Sequence, residues 1–144
     1  MSGFPLRRRR TIVYVDAKIT GMHDTMLQRK AFVGYVVEGR HEPPGFLQVQ
    51  GTETDEAEER AILFAITELK NRLKRFKVIC DHESAVVKVN WKGDDRRKAK
   101  KDKVLPEIWK VLDKNKSIRV RALGGNPAHA FLNKRLKEIE SGTA

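Results

Sequence analysis

The stretch from Thr11 to Asp16 constrains this chain more than any other. Ile12, Val13, Tyr14 and Val15 are β-branched or aromatic, and the run is apolar on both alternating faces. That pattern belongs to a strand in the middle of a sheet with both sides covered. The run stops on a carboxylate, Asp16. Phe76 to Asp81 repeats the arrangement: Val78, Ile79 and Cys80 lead to Asp81. Between the two, Asp55 to Leu73 has helical spacing. A strand, a helix and a strand in that order predict a right-handed crossover between parallel strands. Were those strands neighbours, Asp16 and Asp81 would emerge side by side at the carboxyl edge, where open α/β sheets place their sites. Two carboxylates that close repel each other and raise a pKa, unless a cation lies between them.

The flanking segments complete an α/β pattern. Ala17 to Lys30 is polar and reads as a loop. Ala31 to Glu38 is a second strand, Gly39 to Gly45 is turn chemistry with two prolines, and Phe46 to Gln50 is a third strand. Three strands so close in sequence predict an antiparallel meander. Within the helix, Ala61, Ile62, Ala65, Ile66 and Leu69 share one face. Glu58 lies on that face one turn earlier and so points toward the sheet, whereas Asp55, Glu56 and Glu59 sit elsewhere on the wheel. A structural reading competes, because Asp55 as N-cap with Glu58 three residues later is a capping box. Asp81 has the same ambiguity: it can cap the helix beginning near His82.

The second half alternates helices with one more strand. Val104 to Leu112 reads as a helix with Pro106 in its first turn and a stripe of Ile108, Trp109 and Leu112. Trp109 is expected in the core. Ser117 to Leu123 alternates as a fifth strand. Ala128 to Glu140 is a last helix with Phe131, Leu132, Leu136 and Ile139 inward. The whole predicts one α/β domain over residues 11–144, preceded by a basic arm over residues 1–10 that carries Arg7, Arg8, Arg9 and Arg10.

Charge narrows the partners. The 144 residues hold 30 Lys and Arg against 19 Asp and Glu, a net charge of +11. A field of that sign attracts phosphate backbones or anionic membranes. No apolar run approaches the roughly 20 residues of a bilayer span, and no strongly amphipathic basic helix stands out. Nucleic acid is therefore the expected partner, with no membrane role. Cys80 is the single cysteine, which excludes an internal disulfide and a cysteine-based zinc site; a cytoplasmic setting follows as the expectation. Trp91 to Lys103 is the densest cationic segment. Lys92, Arg96, Arg97, Lys98, Lys100 and Lys101 are placed to track phosphates, with Trp91 beside them to pack on a sugar or base.

Order and spacing of these parts resemble ribonuclease H of type 1 over about Thr11 to Ile139. The telling residues are the first strand ending at Asp16, the helix start Thr54 to Ala61, and the strand ending Val78 to Asp81. The resemblance implies a ribonuclease H-like α/β fold: a five-stranded mixed sheet, three antiparallel strands then two parallel, flanked by helices. It places catalytic and metal-binding carboxylates on Asp16, Glu58 and Asp81. The segment from Asn90 and Trp91 onward looks like the family's basic protrusion, which helps grip the hybrid's DNA strand. The fourth acidic position of the family aligns with Asn133, and its mobile histidine with His129 or Asn126. The chain departs from the usual pattern with Ala17 and Lys18 after the first aspartate and with His82 after Asp81. An amide can still ligate through its oxygen, without a carboxylate's charge, and Lys18 could set a cation where a metal would sit.

The activity so implied is hydrolysis of the RNA strand of an RNA–DNA hybrid with two Mg²⁺ or Mn²⁺ ions about 4 Å apart, bridged by Asp16. RNA would be chosen through its 2′-hydroxyls, without sequence specificity. The alternative is a catalytically weak or inactive module of the same fold that binds structured RNA or a hybrid. A third reading, a resolvase- or integrase-type reaction, lacks the longer insertions of those proteins.

Overall fold

A computed structural model of the chain describes residues 10–20, 30–39, 42–50, 53–140 and 142. In chain order come β1 (Thr11–Thr20), β2 (Lys30–Val37), β3 (Gly45–Gln50), α1 (Thr54–Leu69), β4 (Phe76–Cys80), α2 (Glu83–Val89), a 3-10 helix (Gly93–Ala99), α3 (Leu105–Lys114), β5 (Ile118–Ala122) and α4 (Pro127–Glu140). The sheet has the order β3-β2-β1-β4-β5. β1, β2 and β3 pair antiparallel, and β4 runs parallel to both β1 and β5. This is the mixed five-stranded architecture that the resemblance implies.

The central strand is explained by its residues, with two corrections. Val13 and Val15 are wholly buried beneath α1, whereas Ile12 and Tyr14 on the other face are half-covered. The strand does not stop at Asp16. Ala17 to Thr20 continue it, paired with Val33 to Lys30 of β2, because antiparallel backbone pairing overrides the polar composition that reads as a loop. Residues 21–29 and the arm over 1–9 lie outside the described residues.

The helices bury the faces their periodicity predicts. α1 lays Ala57, Ala61, Ile62, Ala65, Ile66 and Leu69 onto the sheet. It ends at Leu69, four residues before the expected Leu73. α3 buries Ile108 and Trp109, whose indole Nε1 donates to the Val89 carbonyl at 3.1 Å. On α4, Leu132 and Leu136 are buried against Phe32, but Ile139, in the final turn, is exposed.

Both capping alternatives fail. The N-cap of α1 is Glu53 and that of α2 is His82, and neither makes a side-chain cap bond. Asp55 instead turns to His82, and Glu58 turns inward. Glu59, off the sheet face as the wheel placed it, is nonetheless completely buried; no donor among the described residues reaches its oxygens, and it lies against the Asp102 carboxylate, to which only its protonated form can donate. Its neighbour Asp102 accepts from the Val104 and Leu105 amides at 2.8 Å, just ahead of α3.

Two contacts fix α4 over the carboxyl end of β1. Gly34 pairs with Asp16, and a Cβ there would lie 3.0 Å from Leu132 Cδ2 and 3.1 Å from the Gly45 carbonyl oxygen. The missing side chain lets α4 approach the sheet beside Asp16. Asn126 Nδ2 donates to the Val15 carbonyl at 2.5 Å while its Oδ1 accepts from the Ala128 amide at 2.8 Å. Asn126 therefore caps α4 and ties it to β1.

Burial first, and then the Asp102 carboxylate, raise Glu59 from 4.5 to about 8. The folded chain keeps a proton that the unfolded chain releases, so this group's contribution to stability is lost as pH rises from about 4.5 to about 8. Glu59→Gln is expected to flatten the fall in melting temperature over that range and to melt higher than wild type at pH 8, by roughly 2–4 °C for each kcal/mol regained. Thermal melts across the pH series check this; parallel curves for the two proteins contradict it.

Candidate active site and nucleic-acid surface

The last β1–β4 pair is Val15 with Cys80, so Asp16 and Asp81 leave the two parallel strands at the same level. Asp16 is 4 % exposed and Asp81 lies at the surface. α1 crosses behind them and delivers Glu58, 6 % exposed, whose Oε2 accepts from the Cys80 thiol at 3.4 Å. Ligand atoms of Glu58, Cys80 and Asp81 all lie within 4.8 Å of one another. Asp16 joins them electrostatically: its charge acts on Glu58, and that of Asp81 acts on both.

The electrostatics are those of crowded, half-dry carboxylates. Burial pushes Glu58 up to about 8, and repulsion from Asp16 and then from Asp81 adds to it, partly offset by the thiol. Burial likewise raises Asp16, against the stabilising His129 bond. Burial and the Glu58 charge hold the Cys80 thiol well above its ordinary value, so it is a neutral donor. No lysine or arginine pairs with Asp16, Glu58 or Asp81 among the described residues. Two buried carboxylates beside an exposed third, none of them paired with a lysine or arginine among the described residues, suit a small hard cation, so the donor set fits Mg²⁺ or Mn²⁺.

α4 supplies the remaining expected residues. His129 Nδ1 lies 3.0 Å from Asp16 Oδ2, on a side chain that is largely exposed. Asn133, one turn later, accepts from Lys18 Nζ at 2.7 Å through Oδ1. Lys18 thus lies against Asn133 and does not fill the gap between the acids. Of the two candidates for the histidine position, His129 faces the site and Asn126 is structural.

Three features had weaker signals in the sequence. Cys80 stood out only as a lone cysteine, although two-residue alternation from Val78 puts it on the α1 face. The second is a network around Asp55. His82 Nε2 lies 2.6 Å from Asp55 Oδ1 and 3.0 Å from Ser84 Oγ, and Lys88 reaches Asp55 Oδ2 at 3.4 Å. The His82 bond holds Asp55 below the ordinary carboxylate range. The third is the burial of Glu59, which no local pattern marks.

The cationic segment is partly structural. Arg96 forks onto Asp113 with two bonds of 2.8 Å, donates to the Trp91 carbonyl at 3.0 Å, and lies 5.0 Å over the Trp109 ring. It anchors the 3-10 helix to α3. Arg97 and Lys98 pair with Asp94 and Asp95 at 3.6 and 3.2 Å, and Lys98 stands 5.8 Å from the Trp91 ring centre. Lys92, Lys100 and Lys101 are exposed. A cleft of about 450 Å³ beside Trp91 is lined by Lys98, Lys100 and Lys101 among others.

No protein-family model matches the chain, and no curated protein does. Solved structures do match. The RNase H1 of the halophilic archaeon Halobacterium salinarum NRC-1 aligns over 80 % of this chain and 86 % of its own, with 15 % identity and a TM-score of 0.61. The RNase H domain of PFV, the prototype foamy virus, aligns over 81 % and 79 % with 19 % identity and a TM-score of 0.64. LC11-RNase H1, solved in complex with an RNA/DNA hybrid, aligns over 79 % and 85 % with 15 % identity and a TM-score of 0.59. The chain has a ribonuclease H-like fold.

Two outcomes follow. Arg96→Ala is expected to lower stability by about 1 kcal/mol, whereas Lys100→Ala with Lys101→Ala leaves melting unchanged and reduces the salt slope of nucleic-acid binding by roughly 1–2; denaturant titration and anisotropy at several salt concentrations read both. A Mn²⁺ ion bound at Glu58 would have to displace its proton, so its apparent affinity should rise with pH up to about 8, by at most about tenfold per unit. Calorimetry in buffers of different ionisation enthalpy should show proton release that Glu58→Gln removes. A pH-independent affinity contradicts this.

Proposed function

On the premise of that fold, we propose that this chain is a divalent-metal-dependent phosphodiester hydrolase that cuts the RNA strand of RNA–DNA hybrids. The observation that carries the reading is the convergence of Asp16, Glu58 and Asp81 at one end of the sheet, the first two buried and the third at the surface, with no lysine or arginine paired to them among the described residues. Asp16, Glu58 and Asp81 would hold two Mg²⁺ or Mn²⁺ ions, with the Asn133 amide as an uncharged fourth donor. When bound, such ions supply Lewis-acid activation of water and charge neutralisation at the departing oxygen.

The chain's own residues set the conditions for that chemistry. Burial of Glu58 and Asp16 keeps bulk water from screening their charges, so an opposite charge there is bound more strongly than at the surface. Cys80 orients Glu58 through its thiol. His129 takes Asp16 through Nδ1 and leaves Nε2 to exchange a proton with solvent. Trp91 and the lysines Lys92, Lys98, Lys100 and Lys101, with Arg97, would hold the hybrid's backbone. Arg96 supports them by fixing the segment. Support for a hybrid as the substrate comes from the structural match to LC11-RNase H1, whose structure contains one.

One observation favours the second reading, a binding module with little or no activity. The fourth donor, Asn133, is neutral and already engaged by Lys18 at 2.7 Å. Breaking that contact would be needed before the amide could ligate.

A labelled hybrid separates the readings. The hydrolase cuts its RNA strand with Mg²⁺ or Mn²⁺, and Asp16→Asn removes the cutting while hybrid binding persists. With one charge missing at Asn133, turnover at low metal concentration is expected to be higher with Mn²⁺, which is softer and binds more tightly than Mg²⁺. Tight hybrid binding without cutting by either metal establishes the module, and equal turnover with both metals contradicts the weakened fourth position.

A further inference from the structure

One face of the β4–β5 half of the sheet bears cations that the proposed hydrolase does not use. α4 lies over β1 and β2, while Arg119 and Arg121 of β5 are exposed. The register sets Lys77 beside Arg119 and Ile79 beside Arg121, with Ile12 and Tyr14 next in each row. Alternation puts Arg10 and Arg75 on the same face at one end of these rows and Asp16 and Asp81 at the other. The arginines are close enough to feel each other: burial, and then the charges of Arg75, Arg119 and Arg121, push the Arg10 pKa below its usual value.

None of Arg10, Arg75, Lys77, Arg119 and Arg121 pairs with a carboxylate among the described residues. The guanidinium bonds go to backbone carbonyls: Arg10 Nε to Ser117 at 3.3 Å, Arg121 Nη1 to Val120 at 2.9 Å, and Arg119 Nη1 to Lys116. A guanidinium has five N–H donors in a fork that matches phosphate, so most of each fork remains available. In a chain that elsewhere spends Arg96, Arg97 and Lys98 on neighbouring aspartates, an uncompensated arginine cluster is an anion site. A cleft of about 290 Å³ at the outer edge of β5, lined by Asn90, Lys92, Lys116, Arg119 and Arg121 among others, carries the positive surface round toward the Trp91 segment.

We infer that this face binds a single-stranded stretch of polynucleotide leading to or from the carboxylates, its phosphates on Arg119, Arg121 and their neighbours. Same-face residues along a strand repeat every ~6.7 Å, so the cations form a track along β5. A rigid duplex meets a sheet face along a line, whereas a single strand lies down on it and can reach the half-buried Tyr14 ring, which stands in the row of Ile79 and Arg121 with its hydroxyl donated to Glu38 at 2.6 Å. The inference rests on the nucleic-acid reading above, and not on catalysis.

The test is binding in EDTA, by fluorescence anisotropy, of a blunt RNA–DNA hybrid and of the same hybrid with a single-stranded tail. The wild-type chain should hold the tailed substrate more tightly. Arg119→Gln with Arg121→Gln keeps the aliphatic stems, and should remove that gain, roughly tenfold, and lower the salt slope on the tailed substrate by roughly 1.4. Blunt-hybrid binding and thermal melting should stay as in wild type. Unchanged affinity of the double variant for the tailed substrate overturns the inference, as does equal loss on blunt and tailed substrates. So does capture of the wild-type chain by phosphatidylserine vesicles when the tail adds nothing. Wild-type chain that binds neither substrate overturns the nucleic-acid reading itself.

Discussion

Parallel pairing of β1 with β4 sets the position of every acidic group at the candidate site. Because Val15 and Cys80 are level, the next residues of both strands are carboxylates at the same edge, and the helix that must cross between parallel strands brings Glu58 in behind them. The price of that convergence is electrostatic. Glu58 is driven to about 8 by being dry and next to like charge, and the Cys80 thiol is a poor substitute for a cation. The arrangement is tolerable in a folded protein only because protons or cations can relieve it.

Positive charge is divided by role. Lys18 sits on Asn133 and Arg96 on Asp113, so neither competes for a phosphate without giving up a contact. Lys92, Lys100 and Lys101 on one flank, and Arg119 and Arg121 on the other, have no carboxylate partner among the described residues. The chain as a whole carries a net charge of +11. Such a field draws a polyanion toward the acids, where like-charge repulsion must be neutralised by the same cations that the carboxylates attract.

Much of this was legible in the residues. The sheet-facing Glu58 and the stripe of α3 follow from the 3.6-residue period, the parallel β1–β4 pair follows from the strand–helix–strand order, and the five-stranded arrangement came with the family resemblance. The extension of β1 beyond Asp16 was hidden, since its composition is polar and only the β2 partner makes it a strand. Capping at Asp55 and Asp81 fitted the local pattern, but His82 claims Asp55 from 27 residues away, and Asp81 lies exposed one residue before the N-cap of α2. Glu59, Arg96 and Lys18 each find partners or burial far along the chain, at Asp102, Asp113 and Asn133. No local spacing encodes such pairings.

The central claim is that Asp16 and Glu58 destabilise each other until a cation arrives. Its most direct measurement is the melting temperature of Asp16→Asn and Glu58→Gln at pH 8, in EDTA and in saturating Mn²⁺. A reversal of sign is expected: each variant melts above wild type in EDTA, where repulsion is relieved, and below it in Mn²⁺, where a ligand is lost. Variants that shift in the same direction under both conditions would contradict it.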